Sequence, residues 1–294
     1  MKRVLVTGGT GFVGRCCLAQ LENSGFEVHA VTRRSLSSAT TTRWHYLDVR
    51  NADDMRVLMS SIRPTHLLHL AWCAKPKTCW ASPENIVWLR NSIELFQLFE
   101  RAGGTRIVAT GSCAEYDWTS GVCHEQTTPC CPSTLYGRTK LAAATYLEAM
   151  RHGGLSTACA RLFFLYGPGA SEHRMPGVVM SALSRNEPAR CSDGMQLRDF
   201  LHIEDAARAI IGLLDSEAIG PINVCSGVAT PIRRMAEYVA ELMGQSQLLR
   251  FGELPMPTHE PPLIIGDNTR LREEVGWSPR FSIEEGLQQT VAAW

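Results

Sequence analysis

Apolar and polar positions along this chain follow two rhythms. Short apolar runs of strand type occur at RVLVT, FEVHAVT, WHYLDV, THLLHLAW, RIVATGS and STACARLFFLYG. Between them, residues 12–24, 52–62, 84–102 and 134–152 carry the amphipathic period of a helix. Strands buried on both faces lose the in–out alternation of a half-exposed strand, so these continuous runs predict a parallel sheet with helices on both faces. Gly103-Gly104 and Gly153-Gly154 stop two of the helices, and Pro64 precedes the fourth strand. After Pro168 the pattern loosens. Short helices over 176–186, 204–215, 231–243, 269–275 and 283–292 alternate with proline-rich loops such as PMPTHEPP. They predict a smaller lobe on the C-terminal edges of the strands.

Composition narrows the class without redrawing it. A length of 294 residues lies near the limit of a single core, which suits one large domain with a satellite. Lys plus Arg balances Asp plus Glu at 29 each, so there is no charge footprint for nucleic acid or an acidic membrane. No apolar run reaches membrane-span length, and MKRVLVTGG lacks the apolar core of a signal peptide. The eleven cysteines include no CxxC and no metal-ligand spacing. They are expected as reduced, mostly buried thiols of a cytoplasmic protein, with no metal site.

The first strand runs straight into TGGTGFVG. A dinucleotide pyrophosphate needs backbone without side chains and free N–H groups at a helix start. Gly8 permits the turn, Gly11 allows close approach, Gly14 lets helix and strand touch, and Phe12 and Val13 complete the cofactor turn. The fold class is therefore α/β: a Rossmann-type doubly wound parallel sheet with a smaller C-terminal substrate lobe. Residues 1–167 with about 198–225 are assigned to dinucleotide binding, and about 168–197 with 226–294 to the lobe. At the end of the second strand Thr32 stands where an acid would hold the ribose hydroxyls of NAD, and Arg33-Arg34 follow. Two guanidiniums suit a 2′-phosphate, so NADP(H) is expected, with NAD(H) as the alternative. Asp48, beside Val49, stands at a strand end where it either accepts from the adenine amino group or serves as a turn or cap residue.

Ser112 ends the RIVATGS strand, on the edge where open α/β sheets bind ligands; Tyr136 follows in LYGRTK, with Lys140 one helical turn further on. Interconverting an alcohol and a ketone with a nicotinamide moves a hydride and a proton at one carbon. A free Tyr has a pKa of about 10, and lowering it by about 2–3 units takes roughly 3–4 kcal/mol. One ammonium about 4 Å away at an effective dielectric of about 20 supplies that much. Ser112 would hydrogen-bond the reacting oxygen.

These residues resemble the extended short-chain dehydrogenase/reductase family, in particular its nucleotide-sugar epimerases, dehydratases and ketoreductases. TGGTGFVG is similar to the family's cofactor turn, and HLAW at 69–72 to its HLAA motif, which implies that the backbone of Leu70 and Ala71 lies along the cofactor. Asn91 resembles the start of the NxxGT segment, and Ser112, Tyr136 and Lys140 fall on the catalytic positions. RLFFLYGPG, RDFLHIEDAARAI, NVCSG and GDNTRLREEVGWSP resemble later motifs; the second implies that Arg198 meets the substrate diphosphate rather than pairing with Asp199.

Departures from the family pattern bear on the reaction. Cys113-Ala114 stands where dehydratases carry Asp-Glu, so dehydration is not expected; Ala114 also lacks the cysteine of the 3,5-epimerase type. Phe164 replaces a common Asn. Glu115 either faces the sugar or pairs with an arginine, and His173, in a Gly/Pro-flanked loop, is a candidate sugar contact or a surface residue. The reading is an NADPH-dependent reductase of a nucleoside-diphospho-4-keto-6-deoxyhexose, acting as a homodimer. The alternatives are an NAD-dependent nucleotide-sugar 4-epimerase and a non-catalytic dinucleotide-binding scaffold.

Overall fold

The computed structural model describes residues 2–34, 41–73, 78–256 and 260–294. In chain order the first half holds β1 (Arg3–Thr7), α1 (Phe12–Leu21), β2 (Glu27–Thr32), β3 (Arg43–Tyr46), α2 (Ala52–Ile62), β4 (His66–His69), α3 (Glu84–Arg101), β5 (Arg106–Ser112), β6 (Val122–Cys123), α4 (Leu135–His152) and β7 (Ser156–Leu162). The second half holds β8 (Phe164–Tyr166), α5 (Gly177–Ser184), β9 (Ala189–Arg190), β10 (Leu197–His202), α6 (Ile203–Asp215), β11 (Gly220–Val224), β12 (Ala229–Pro231), α7 (Ile232–Leu242), β13 (Leu249–Arg250), β14 (Leu263–Gly266), α8 (Thr269–Val275) and α9 (Ile283–Ala292).

Among the described residues seven strands form one sheet in the order β11-β7-β5-β4-β1-β2-β3, every neighbouring pair parallel. The period-2 geometry of a strand sorts its side chains between two helical layers. In β1, Val4 and Val6 join Leu18 and Leu21 of α1 and Ala206 and Ile210 of α6 on one face. Leu5 points the other way, to Met55 and Met59 of α2, Phe96 and Phe99 of α3 and Leu147 of α4. Each such buried side chain contributes about 1.5–3 kcal/mol. Local signals set the helix ends: the Asn51 side chain caps α2 by accepting from the N–H groups of Asp53 and Asp54. The strand order reverses between β1 and β4, which opens a crevice at their carboxyl ends.

A second sheet runs β12-β10-β14-β6, with β8 also paired to β10. Here the structure departs from the sequence pattern. The apolar run at 156–167 reads as one strand, yet β7 lies in the large sheet and β8 pairs Phe200–His202 in the second. Both stretches are apolar because both are buried, so hydropathy does not mark the change of partner. The residues 198–225 were assigned to the large lobe as a block; α6 and β11 pack there, but β10 lies in the second sheet. β6 arises inside the long loop after Ser112 and pairs with β14.

Candidate active site

The glycine turn meets the end of β4 backbone to backbone. A Cβ on Gly8, whose φ is +75°, would fall 2.7 Å from the Ala71 nitrogen, and one on Gly14 would fall 2.1 Å from the Gly8 oxygen. Only glycine permits either contact. Above Gly11 the sole close neighbour of a built Cβ is the Gly8 oxygen at 3.2 Å. α1 begins at Phe12 and Val13 with no side-chain cap, so its first-turn N–H groups remain available to an anion. Residues around Leu70 and Ala71 thus form a cradle that fits a dinucleotide pyrophosphate.

At the 2′ end, Arg33 and Arg34 are exposed, and neither pairs with a carboxylate among the described residues. Asp48 is a turn residue that holds Arg50: its oxygens accept from the Arg50 backbone N–H at 3.0 Å and from Nη2 at 2.6 Å. The Arg50 hydrogen bonds keep its carboxyl below the usual range. Asn91, on α3, is buried with Nδ2 unpartnered, in a recess shared with Val49 and Leu95.

The catalytic candidates converge at the carboxyl end of β5. Ser112 ends that strand and accepts at Oγ from the Ala114 N–H, 3.2 Å away. Thr134 caps α4 by accepting from the Gly137 N–H at 3.0 Å, which starts the helix just before Tyr136. Gly137 then lies against the turn at Cys113–Glu115: a Cβ there would be 2.2 Å from the Ala114 oxygen. This contact sets Tyr136 beside Ser112. Burial raises the Tyr136 pKa above its usual value, opposed by the Ser112 side chain and by the charge of Arg174. Lys140 sits one turn along, its Nζ donating to the Thr110 oxygen at 2.7 Å. Burial pushes its pKa down to about 8.

Glu115 and His173 each carried two readings. Glu115 does not face the cleft: it is fully buried, Oε1 accepts from the Ser112 N–H at 2.8 Å, and Oε2 accepts from Arg161 Nε at 2.7 Å. A buried guanidinium needs such a partner, and the pair braces β5 against β7. His173 is exposed with Nε2 3.8 Å from Glu172 Oε1, and it is the adjacent Arg174 whose charge reaches Tyr136. Arg198 is buried at 1 % exposure, rests over the Phe164 ring at 5.6 Å and is ion-paired with Glu260. Asp199 takes no part in that pair; it accepts from Ser226, Gly227 and Gly266.

Sequence reasoning missed Gly137, Arg174, Trp72 and Trp80. The Trp80 ring stands edge-on to Tyr136 at 5.5 Å, and the Trp72 ring lies 4.0 Å from Lys140 Nζ. The HLAW motif held the second signal, a tryptophan where the pattern runs to alanine. Cys17, Cys79, Cys113, Cys123, Cys159 and Cys225 are buried thiols, and Cys130 and Cys131 are exposed. His124, Glu125 and Asp267 bring ligand-type atoms within 4.8 Å of one another, but His124 Nδ1 accepts from the Gln126 N–H, which leaves the neutral ring protonated at Nε2. A cavity of about 590 Å³ between α4 and β11 lies apart from the tyrosine, and its Arg151 and Arg270 are already paired with Glu148 and Glu274.

A family model described as NAD dependent epimerase/dehydratase family matches residues 4–225. A dTDP-6-deoxy-L-talose 4-dehydrogenase (NAD(P)(+)) of Kitasatospora kifunensis is 28% identical, with 98% of this chain and 94% of that protein covered. A UDP-glucose 4-epimerase of Azospirillum brasilense is 25% identical, with 99% and 91% covered. Among solved structures, MoeE5 in complex with UDP-glucuronic acid and NAD superposes with a TM-score of 0.87 at 28% identity, covering 99% of this chain and 98% of that one.

Proposed function

This chain belongs to the NAD dependent epimerase/dehydratase family, and on that premise we propose that it reduces a nucleoside-diphospho-4-keto-6-deoxyhexose to the 4-hydroxy sugar with NADPH. The observation that carries the reading is that Ser112, Tyr136 and Lys140 come together at the carboxyl end of β5, with Lys140 Nζ on the Thr110 oxygen. A ketone reduction starts from the protonated phenol. An epimerase starts from the phenolate, because it must first take a proton from the sugar hydroxyl.

A bound nicotinamide dinucleotide supplies hydride to the carbonyl carbon. Tyr136 gives its proton to the carbonyl oxygen as the C–O bond becomes single. Ser112 Oγ orients that oxygen, and Arg174 and Lys140 stabilise the tyrosinate left behind until solvent returns the proton. The Thr110 carbonyl holds Lys140 in register. Arg198 is proposed to receive the substrate diphosphate by exchanging it for Glu260.

Further support comes from Cys113-Ala114, which offers no acid for dehydration, and from Arg33 and Arg34, which pair with no carboxylate among the described residues. The relative named as a 4-dehydrogenase acts with NAD(P)(+). A second reading, an NAD-dependent nucleotide-sugar 4-epimerase, is favoured by the NAD carried by the MoeE5 complex and by the epimerase relative. A panel of nucleoside-diphospho-4-keto-6-deoxyhexoses offered with NADPH or NADH separates the two. The expected outcome is NADPH consumption at least about tenfold faster than NADH consumption, since a lost guanidinium–phosphate pair is worth about 1.5–3 kcal/mol. NAD that co-purifies and never exchanges, together with interconversion of UDP-glucose and UDP-galactose, would establish the epimerase instead.

A further inference from the structure

Lys140 is buried at 4 % exposure, and no carboxylate pairs with it among the described residues. Among the described residues its Nζ has one hydrogen-bond acceptor, the Thr110 oxygen. The charged and titratable groups around it offer little else. His69 of β4 is buried, with Nδ1 on Thr7 at 2.8 Å and Nε2 on Ser92 at 2.9 Å, and is held neutral. Glu115 is ion-paired with Arg161, though its charge still favours the ammonium, and the Cys159 thiol of β7 is raised by burial. A desolvated ammonium so placed loses its proton readily unless something else favours the charge.

Among the described residues, the face of Trp72 also lies against the ammonium, 4.0 Å from Nζ. That indole is fixed in place. Its Nε1–H donates to Asn85 Oδ1 at 3.0 Å, and the fully buried Asn85 donates from Nδ2 to the Cys79 and Ser82 oxygens at 2.6 and 2.9 Å. An aromatic face attracts a cation through its quadrupole, most strongly where water is excluded. We propose that Trp72 is a positioning residue for Lys140, seating the ammonium on its indole face and keeping it charged at the pH where Tyr136 works. Asn85 sets the plane of the ring, and the Thr110 carbonyl sets the depth of the ammonium. The inference rests on Lys140 serving the reaction as proposed above, but its test does not.

The chain has four lysines, so carbon-13 labelling at lysine Cε gives four resonances, and Lys140→Arg assigns the one in question. In the free wild-type protein the Lys140 resonance should titrate with a midpoint near 8. Trp72→Leu should lower that midpoint by about one pH unit. Mono- and difluorotryptophan placed at position 72 keep the shape of the ring while draining its face, and should lower the midpoint in steps. The alkaline limb of turnover, measured with dTDP-6-deoxy-L-talose and NADP+, should move with it. Midpoints that stay put through the fluorinated series overturn the proposal, and that series retains the packing if Trp72→Leu fails to fold. Lys140→Met separates the two ideas: activity surviving that change defeats the catalytic role of Lys140 whatever the titration shows. An inactive Lys140→Met protein with fluorination-insensitive midpoints defeats only the role of Trp72.

Discussion

In the seven-stranded sheet, β1 and β4 sit beside each other because Val4, Leu5, Val6, Leu67 and Leu68 are buried between two helical layers. In the second sheet, β10 meets β12, β14 and β8 along much shorter ladders, and the joints are made by buried polar side chains. Asp199 gathers the N–H groups of Ser226, Gly227 and Gly266, together with the Ser226 hydroxyl. Asn223 donates to the Cys123 and Asp267 oxygens and accepts from the Tyr116 hydroxyl. Asp205, at the start of α6, accepts from the Arg280 and Phe281 N–H groups. A sheet assembled from consecutive crossover units can rely on area. One assembled from five distant short segments has too little area per segment, and directed hydrogen bonds supply the register that hydrophobic contact leaves free.

Three variants probe this contrast. Asp199→Ala strands buried donors at the centre of the second sheet and should cost about 3–4 kcal/mol in chemical denaturation. A loss below about 1 kcal/mol would put the second sheet under the same apolar control as the first. Gly137→Ala forces a methyl group into the Ala114 carbonyl and should lower kcat/KM about a hundredfold while cofactor affinity holds. Equal activity would mean that the contact between α4 and the turn after β5 is slack.

The smallest effect concerns His69, a buried histidine of β4 in the large sheet. Its folded pKa is pushed down to about 3, mainly by burial, against an ordinary value of about 6.5. The unfolded chain therefore takes up the proton first as pH falls. The stability contributed by neutral His69 is fully present above about 6.5 and is lost progressively toward 3. In His69→Gln, unfolding free energy should fall less steeply across that window, by about 1.4 kcal/mol per pH unit. An unchanged slope would show that protons enter elsewhere.

The same contrast explains which parts could be read from sequence. The strand before TGGTGFVG, the helices Ala52–Ile62 and Thr269–Val275 and the strand Arg106–Ser112 announce themselves by local period and caps. Ser112, Tyr136 and Lys140 lie on two such elements, so their convergence followed from strand ends and helical spacing. The partners of Glu115 and Arg198 did not. Arg161 lies 46 residues from Glu115 and Glu260 lies 62 from Arg198, and both pairings depend on how the chain returns. The division of 156–167 between two sheets was hidden for the same reason, since an apolar run reports burial and not the neighbour that buries it.

The close approach of Gly137 to the Ala114 carbonyl carries one more consequence. It fixes the height of α4 above β5 by main-chain contact alone, so the gap between the Tyr136 and Ser112 oxygens does not depend on what covers the outer surface of the helix. Substitutions at outward positions such as Arg138 or Glu148 can accumulate there, altering what the helix docks against while leaving the spacing of Tyr136 and Ser112 the same.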